Sequence, residues 1–304
     1  MKNRKKYILI VAVLFICCSI LKAQSYYNSE FTVSLGAGSS ALKYQVDNEY
    51  SKSGFGWQLG TGYSYYFNRM IGVSLGVEAA MFGSSVEMKN ISFEQQIQTP
   101  PGLSGRFTLK ANYDGFKEKQ NLLLLQIPVM LQFQFPVSEN NSVFFGTGIK
   151  AGFLPISSKW NQNITKLTTT GYSEYTGQTY IDMPNHGFST FPNKNTSGEF
   201  ELKNPVYLAV EGGLKFGVGE GKYLYTGVFL DYGLNDIYKK SAGKSLLEYN
   251  NASPADYIHN SVLSANQFSV SNGIKPFTVG IKFKIGFGVG SKKAPKPEPI
   301  WGWE

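Results

Sequence analysis

The residues able to do chemistry are few and poorly spaced for catalysis. The chain holds two histidines, His186 and His259. Ser189 lies close to His186 in sequence, and a histidine–serine pair is one way to hydrolyse an ester. A nucleophile and its base need a third group to orient them, and no residue at a readable spacing supplies one. Asp114, Glu118, Asp182 and Glu199 are too scattered to form the spaced ligand loop of a calcium site. Cys17 and Cys18 fall in an N-terminal apolar run, so a chain processed after that run carries no thiol. Thiolate metal sites and cysteine catalysis then drop out together. No phosphate loop or dinucleotide fingerprint is present. The expectation is a protein that is not an enzyme, with no cofactor and no metal.

A second set of ionisable groups is defined by parity along alternating segments, and the clearest of these covers residues 55–82. Phe55, Trp57, Leu59, Thr61, Tyr63, Tyr65 and Phe67 take one parity, with Gly56, Gln58, Gly60, Gly62 and Ser64 between them. After Asn68, Arg69 and Met70 the pattern resumes with Ile71, Val73, Leu75, Val77, Ala79 and Met81. Successive strand side chains face opposite ways, so this is a hairpin with one apolar face and one polar, glycine-rich face. Each arm runs about 12–13 residues, against five or six in most soluble sheets. At ~3.3 Å per residue and a tilt near 45°, such an arm crosses a hydrocarbon layer of roughly 25–30 Å. A soluble sandwich also alternates, but it rarely sustains the pattern this long.

Six further segments repeat the pattern: about 30–41, 120–135, 142–154, 204–217, 223–235 and 274–288. With the hairpin they make eight strands. Pro128 stands inside the fourth and predicts one lost ladder bond or a local bulge. The connections alternate long and short, with long polar stretches at about 42–53, 84–119, 155–203 and 237–272. A membrane barrel has this asymmetry, brief periplasmic turns at one end and long external loops at the other. The predicted fold is all-β, an eight-stranded antiparallel up-and-down transmembrane β-barrel.

On these strands Glu78, Lys150, Glu211, Lys215, Asp231, Lys282 and Lys284 point inward. An eight-stranded lumen is just wide enough for side chains to fill. Four cations and three anions there are expected to pair and close it. A narrow selective pore or proton relay is the other reading of the same residues. Trp160, Tyr172, Tyr175, Tyr180, Phe188 and Phe191 lie in the longest connection and are candidates for ligand or partner binding. They serve equally to pack that segment or to extend the neighbouring strands.

The termini set the compartment. Lys2, Arg4, Lys5 and Lys6 precede an apolar run from Tyr7 to Leu21, and Lys22-Ala23-Gln24 follows. That is the form of a secretory signal peptide over 1–23, with cleavage expected after Ala23. The run is too short for a comfortable transmembrane helix. Five cations of the +8 net charge lie in this segment, and removing them leaves about +3, too little to argue for nucleic acid. The barrel is expected over 24–290. A Pro/Lys-rich tail, 291–304, ends in Ile300-Trp301-Gly302-Trp303.

In the last strand, Thr278, Gly280, Phe283 and Ile285 resemble the terminal motif by which the barrel-assembly machinery recognises its clients. Leu125-Gln126-Ile127-Pro128 and Tyr232-Gly233-Leu234-Asn235-Asp236-Ile237, with the eight strands, resemble the Bacteroidetes-type outer-membrane β-barrel family, porin-like and PorT-like. The architecture is also similar to OmpA-type barrels, in which a comparable linker leads to a peptidoglycan-binding domain. The resemblance implies an outer-membrane location, outer-membrane lipid as surroundings, a monomer, and a role as surface scaffold, binding or assembly component. A transport pore and a secretion-system component are the alternatives it leaves open. It brings no shared catalytic residues.

Overall fold

A computed structural model describes residues 26–47, 49–98, 106–138, 140–239 and 244–293. The expected signal segment, 1–23, and the Trp301–Trp303 tail lie outside these residues. Eight long strands form the wall: β1 (Tyr26–Val46), β2 (Lys52–Tyr66), β3 (Ile71–Gln98), β4 (Arg106–Pro136), β5 (Asn141–Ser173), β6 (Val206–Gly219), β7 (Lys222–Gly233) and β8 (Val270–Lys293). Each pairs antiparallel with the next, and β8 returns to pair with β1, so the sheet closes. Over the closed part of the sheet no edge is left unpaired, which is what a sheet needs in a medium without water.

The alternation fixes the two faces. Leu35, Leu75, Val129, Ile149, Val228 and Ile281, from six different strands, are each more than half exposed on the outside. Along β4 the exposed apolar positions run from Leu125 to Phe135. That distance is roughly 33 Å of strand and about 25 Å along an axis inclined by ~40°, the height of a membrane-embedded apolar band. Tyr63, Tyr65, Phe67, Phe135 and Phe287 lie near one rim of this belt. On the inside, glycines make room for charged side chains. A Cβ on Gly60 would stand 2.5 Å from the Glu78 Cγ, and one on Gly146 would stand 3.0 Å from the Glu211 Cγ.

Pro128 acts as its chemistry requires. Its pairing with Lys150 on β5 is continuous, while the β3–β4 ladder skips between Leu75–Val129 and Glu78–Gln126. A residue without an N–H interrupts only the ladder it would have donated to.

The long connections are themselves largely strand, which corrects the expectation of polar loops over 84–119 and 155–203. β3, β4 and β5 have 28, 31 and 33 residues and continue well past the belt. A further strand, Thr190–Glu199, pairs with the upper part of β5. In this projecting head the inside is apolar. Leu109, Tyr113, Phe116, Leu122, Ile164 and Leu167 from the wall enclose Ile237, Leu246, Leu247, Val262 and Leu263 from the β7–β8 connection. That connection is folded into the mouth of the barrel as a plug.

One device divides the head into two levels. The ladders skip Lys89 on β3, Gly115 on β4 and Thr165 on β5, all at one level. Below it the even-numbered residues face in (Met88, Phe116, Ile164); above it the odd-numbered ones do (Ile91, Tyr113, Leu167). Gly115 supplies the left-handed conformation such a bulge needs, at φ 69°.

Candidate functional site

The inward charges meet in the lumen at the level of the belt. Lys150 on β5 reaches Glu78 on β3 at 2.7 Å and Asp231 on β7 at 3.0 Å. Gln58 on β2 accepts from Lys150 at 3.3 Å and donates to the same Asp231 oxygen. Lys282 on β8 pairs with the other Glu78 oxygen at 2.6 Å and with Glu211 on β6 at 3.4 Å. Lys284 completes the set against Glu211. Because successive pairs share a carboxylate, the groups form one chain of contacts across the lumen.

Nearer the short turns, a second cluster joins Lys215 on β6 to Glu30 on β1 at 2.8 Å. Tyr225 donates to the other Glu30 oxygen, and the Lys215 ammonium lies 3.9 Å from the centre of the Tyr223 ring. Glu30 is absent from the residues singled out by sequence. Its parity matches Thr32 and Ser34, so extending the alternation by one step beyond Phe31 finds it. With Glu30 the clusters contain four cations and four anions. A polar cavity of about 50 Å³ beside them is lined by Ser34, Ser64, Gln132, Glu78 and Lys282, among others. It has room for a few waters.

Above the charges the plug is fastened by one carboxylate. Glu118 on β4 is fully buried. It accepts from the Ser261 hydroxyl, from Gln120 and Gln162 at 2.9 Å each, and from the Val262 backbone N–H at 2.9 Å. Burial pushes its carboxyl above the usual carboxylate range, against the pull of these donors. Gln162 also donates to the Asn260 carbonyl at 2.7 Å. His259, two residues from Ser261, lies in the short hairpin Leu247–Glu248 with Ile258–His259. Burial, then the neighbouring Lys194 charge, hold its imidazole at about 4. His186 sits in a one-turn 3-10 helix, and its carbonyl accepts from the Tyr249 hydroxyl.

The six candidate aromatics divide by burial. Trp160 is enclosed, its ring beneath Gly198 and its indole N–H on the Glu199 carbonyl at 3.3 Å. Phe188 is enclosed between Phe107 and Tyr249. Phe191 and Tyr180 are half-buried against the same core, Phe191 edge-on to Tyr257. Tyr172 and Tyr175 remain open at the tip of the hairpin that follows β5, with Tyr175 87% exposed. Ile181 and Met183 are exposed in the same connection. On β8, Thr278 faces the lumen, Gly280 lies opposite Gly38, and Phe283 and Ile285 stand in the belt. Among the described residues no group of acidic, histidine or cysteine side chains is arranged to hold a metal.

No family model matches the chain. No curated protein sequence matches it either. Among solved structures it is similar to the N-terminal β-barrel domain of OprF from Pseudomonas aeruginosa, with 9% identity, 86% of this chain and 98% of that one covered, and a TM-score of 0.31. It is similar to the outer-membrane protein OprG of Pseudomonas aeruginosa at 15% identity, 86% and 99% coverage and a TM-score of 0.36. It is similar to Ail, the attachment invasion locus protein of Yersinia pestis, at 13% identity, 86% and 99% coverage and a TM-score of 0.27. At these identities and scores the likeness assigns no activity to the chain.

Proposed function

We propose that this protein is an outer-membrane barrel with its short turns in the periplasm, its lumen closed to solutes, and its head presented outside as a recognition or assembly surface. The observation that carries the closed lumen is the chain of shared ion pairs among Glu78, Lys150, Asp231, Lys282, Lys284 and Glu211. These groups cross the interior from β3, β5, β6, β7 and β8 at the level of the exposed belt. A permeating solute would have to break several contacts whose members are desolvated and paired with one another. The plug above adds a second, apolar seal.

The head supports the recognition reading. Its apolar residues are spent on packing the plug, which leaves a rigid projection with Tyr172, Tyr175, Ile181 and Met183 open near its tip. Rigid scaffolds carrying exposed aromatics suit binding. A part in a secretion assembly, as the PorT-like resemblance implies, is a narrower form of the same reading. Recognition of Thr278, Gly280, Phe283 and Ile285 by the assembly machinery would precede either. The test is solute uptake into liposomes carrying the purified chain, beside co-purification from membranes with and without residues 172–183. The reading expects no uptake of small sugars and a loss of partners on deletion. Sugar uptake by the intact protein would replace it with a transport pore.

A further inference from the structure

Two lysines face each other on the outside of the barrel, where the belt meets the head. Lys43 on β1 is the cross-strand partner of Lys275 on β8. Both share the outward parity of the belt, two residues beyond Ala41 and Phe277, which also pair. Like charges directly opposite on neighbouring strands repel and destabilise the sheet. Several other lysines on the head meet carboxylates: Lys117 and Lys52 share Glu87, Lys166 meets Asp114, and Lys110 meets Glu94. Among the described residues neither Lys43 nor Lys275 has a carboxylate within ion-pair distance. The nearby Asp236 turns one oxygen to the backbone N–H groups of Tyr238 and Ile274. The Lys43 ammonium lies 3.8 Å from the centre of the Phe277 ring and 6.0 Å from that of Tyr232. It is therefore held at the upper rim of the apolar belt, the depth at which lipid headgroups carry their charge.

We infer that Lys43 and Lys275 together bind the phosphate group of a membrane lipid in the leaflet beside the head, its acyl chains lying on the belt over Phe277 and Val279. A phosphate between the two ammonium groups turns a cross-strand repulsion into two charge-assisted contacts. The cation–π contact already fixes one of the two donors in place. The inference rests on the barrel being membrane-embedded and is independent of whether the lumen conducts.

The test uses the full chain, purified in a neutral detergent, with folding confirmed by heat-modifiable migration. The probes are a short-chain phosphatidic acid, the phosphatidylcholine of equal chain length, and inorganic phosphate, each titrated while thermal unfolding is followed. The proposal expects the phosphatidic acid to raise the unfolding temperature of the wild type, with about tenfold weaker binding to the K43Q/K275Q variant. A K119Q/K159Q variant, altered on the opposite wall of the head, should bind like the wild type. In neutral detergent without lipid, K275Q should unfold at a higher temperature than the wild type, because the repulsion is gone, and phosphatidic acid should erase that difference. Equal binding by wild type and K43Q/K275Q overturns the site. Equal loss in the K119Q/K159Q variant shows a general charge effect and also overturns it. Inorganic phosphate matching the lipid at equal concentration overturns the lipid assignment. Sugar uptake in liposomes would leave the site untouched while removing the closed-lumen reading.

Discussion

Lys150 contacts Glu78, Asp231 and Gln58 from a position that is almost wholly buried. Replacing it by methionine leaves Asp231 without an ionic partner and Glu78 with Lys282 alone. Removing one partner from a buried pair costs about 3–5 kcal/mol. We expect K150M to lower the unfolding free energy of the purified barrel by that amount, read as a lower urea midpoint. An unchanged midpoint would mean that the lumen is hydrated and the pair screened. At Gly60, a valine would drive a side chain into the Glu78 methylene that a Cβ already meets at 2.5 Å. Overpacking of this kind costs about 1–3 kcal/mol, and G60V should destabilise the fold without opening it. The seven charges singled out by sequence were legible because strand parity alone sorts lumen from lipid. Glu30 is harder to read because it stands at the very start of the first alternating run, with no residue of the pattern before it. Burial of Trp160 and Phe188 was not legible, since it depends on Gly198 and on the plug residue Tyr249, both distant in sequence.

The belt-crossing part of each strand could be read from sequence, whereas the head could not. In the belt the outward residues are apolar and the inward ones polar. In the head this reverses, with Lys117 and Lys119 outside and Phe116 and Leu122 inside. The shift at Lys89, Gly115 and Thr165 then moves the pattern by one residue. A reversal followed by a phase change breaks the period-two signal, so the segment reads as polar loop. Gly115 holds this shift, and a Cβ there would lie 2.5 Å from the Thr165 hydroxyl at a φ that side chains resist. G115V should therefore weaken the head by about 1–3 kcal/mol, seen as faster exchange of amide hydrogens around 109–116 and 164–167 with the belt unchanged.

The plug has its own signature. E118A strands the donors of Ser261, Gln120, Gln162 and Val262, each worth about 1–3 kcal/mol when buried without an acceptor. Protease cleavage within 244–268 should rise, and E118Q should show a smaller effect. His259 makes the same element sensitive to acid. Its imidazole titrates at about 4 when packed, below the ordinary 6.5. The packed state thus refuses a proton that the opened state accepts, and packing weakens as pH falls from 6.5 toward 4. The loss is on the order of 1 kcal/mol at pH 5.5. Glu118, with its carboxyl raised, pulls the other way, so the comparison that isolates the histidine is wild type against H259N. Acid-induced exposure of 247–259 should be larger in the wild type. Equal exposure in both would remove His259 as the cause.

At the scale of the whole molecule the chain is a closed barrel with an apolar belt outside and two sets of contacts inside, one ionic at the belt and one apolar in the head, which we propose act as two seals. On that proposal both would have to fail for solutes to pass. The most direct measurement of this is ionic current across planar bilayers containing the purified full-length protein. The account predicts no steady channels for the wild type, and none for a variant lacking the plug residues 245–266, because the ionic seal remains. Stable openings of porin-like conductance in the wild type would contradict it.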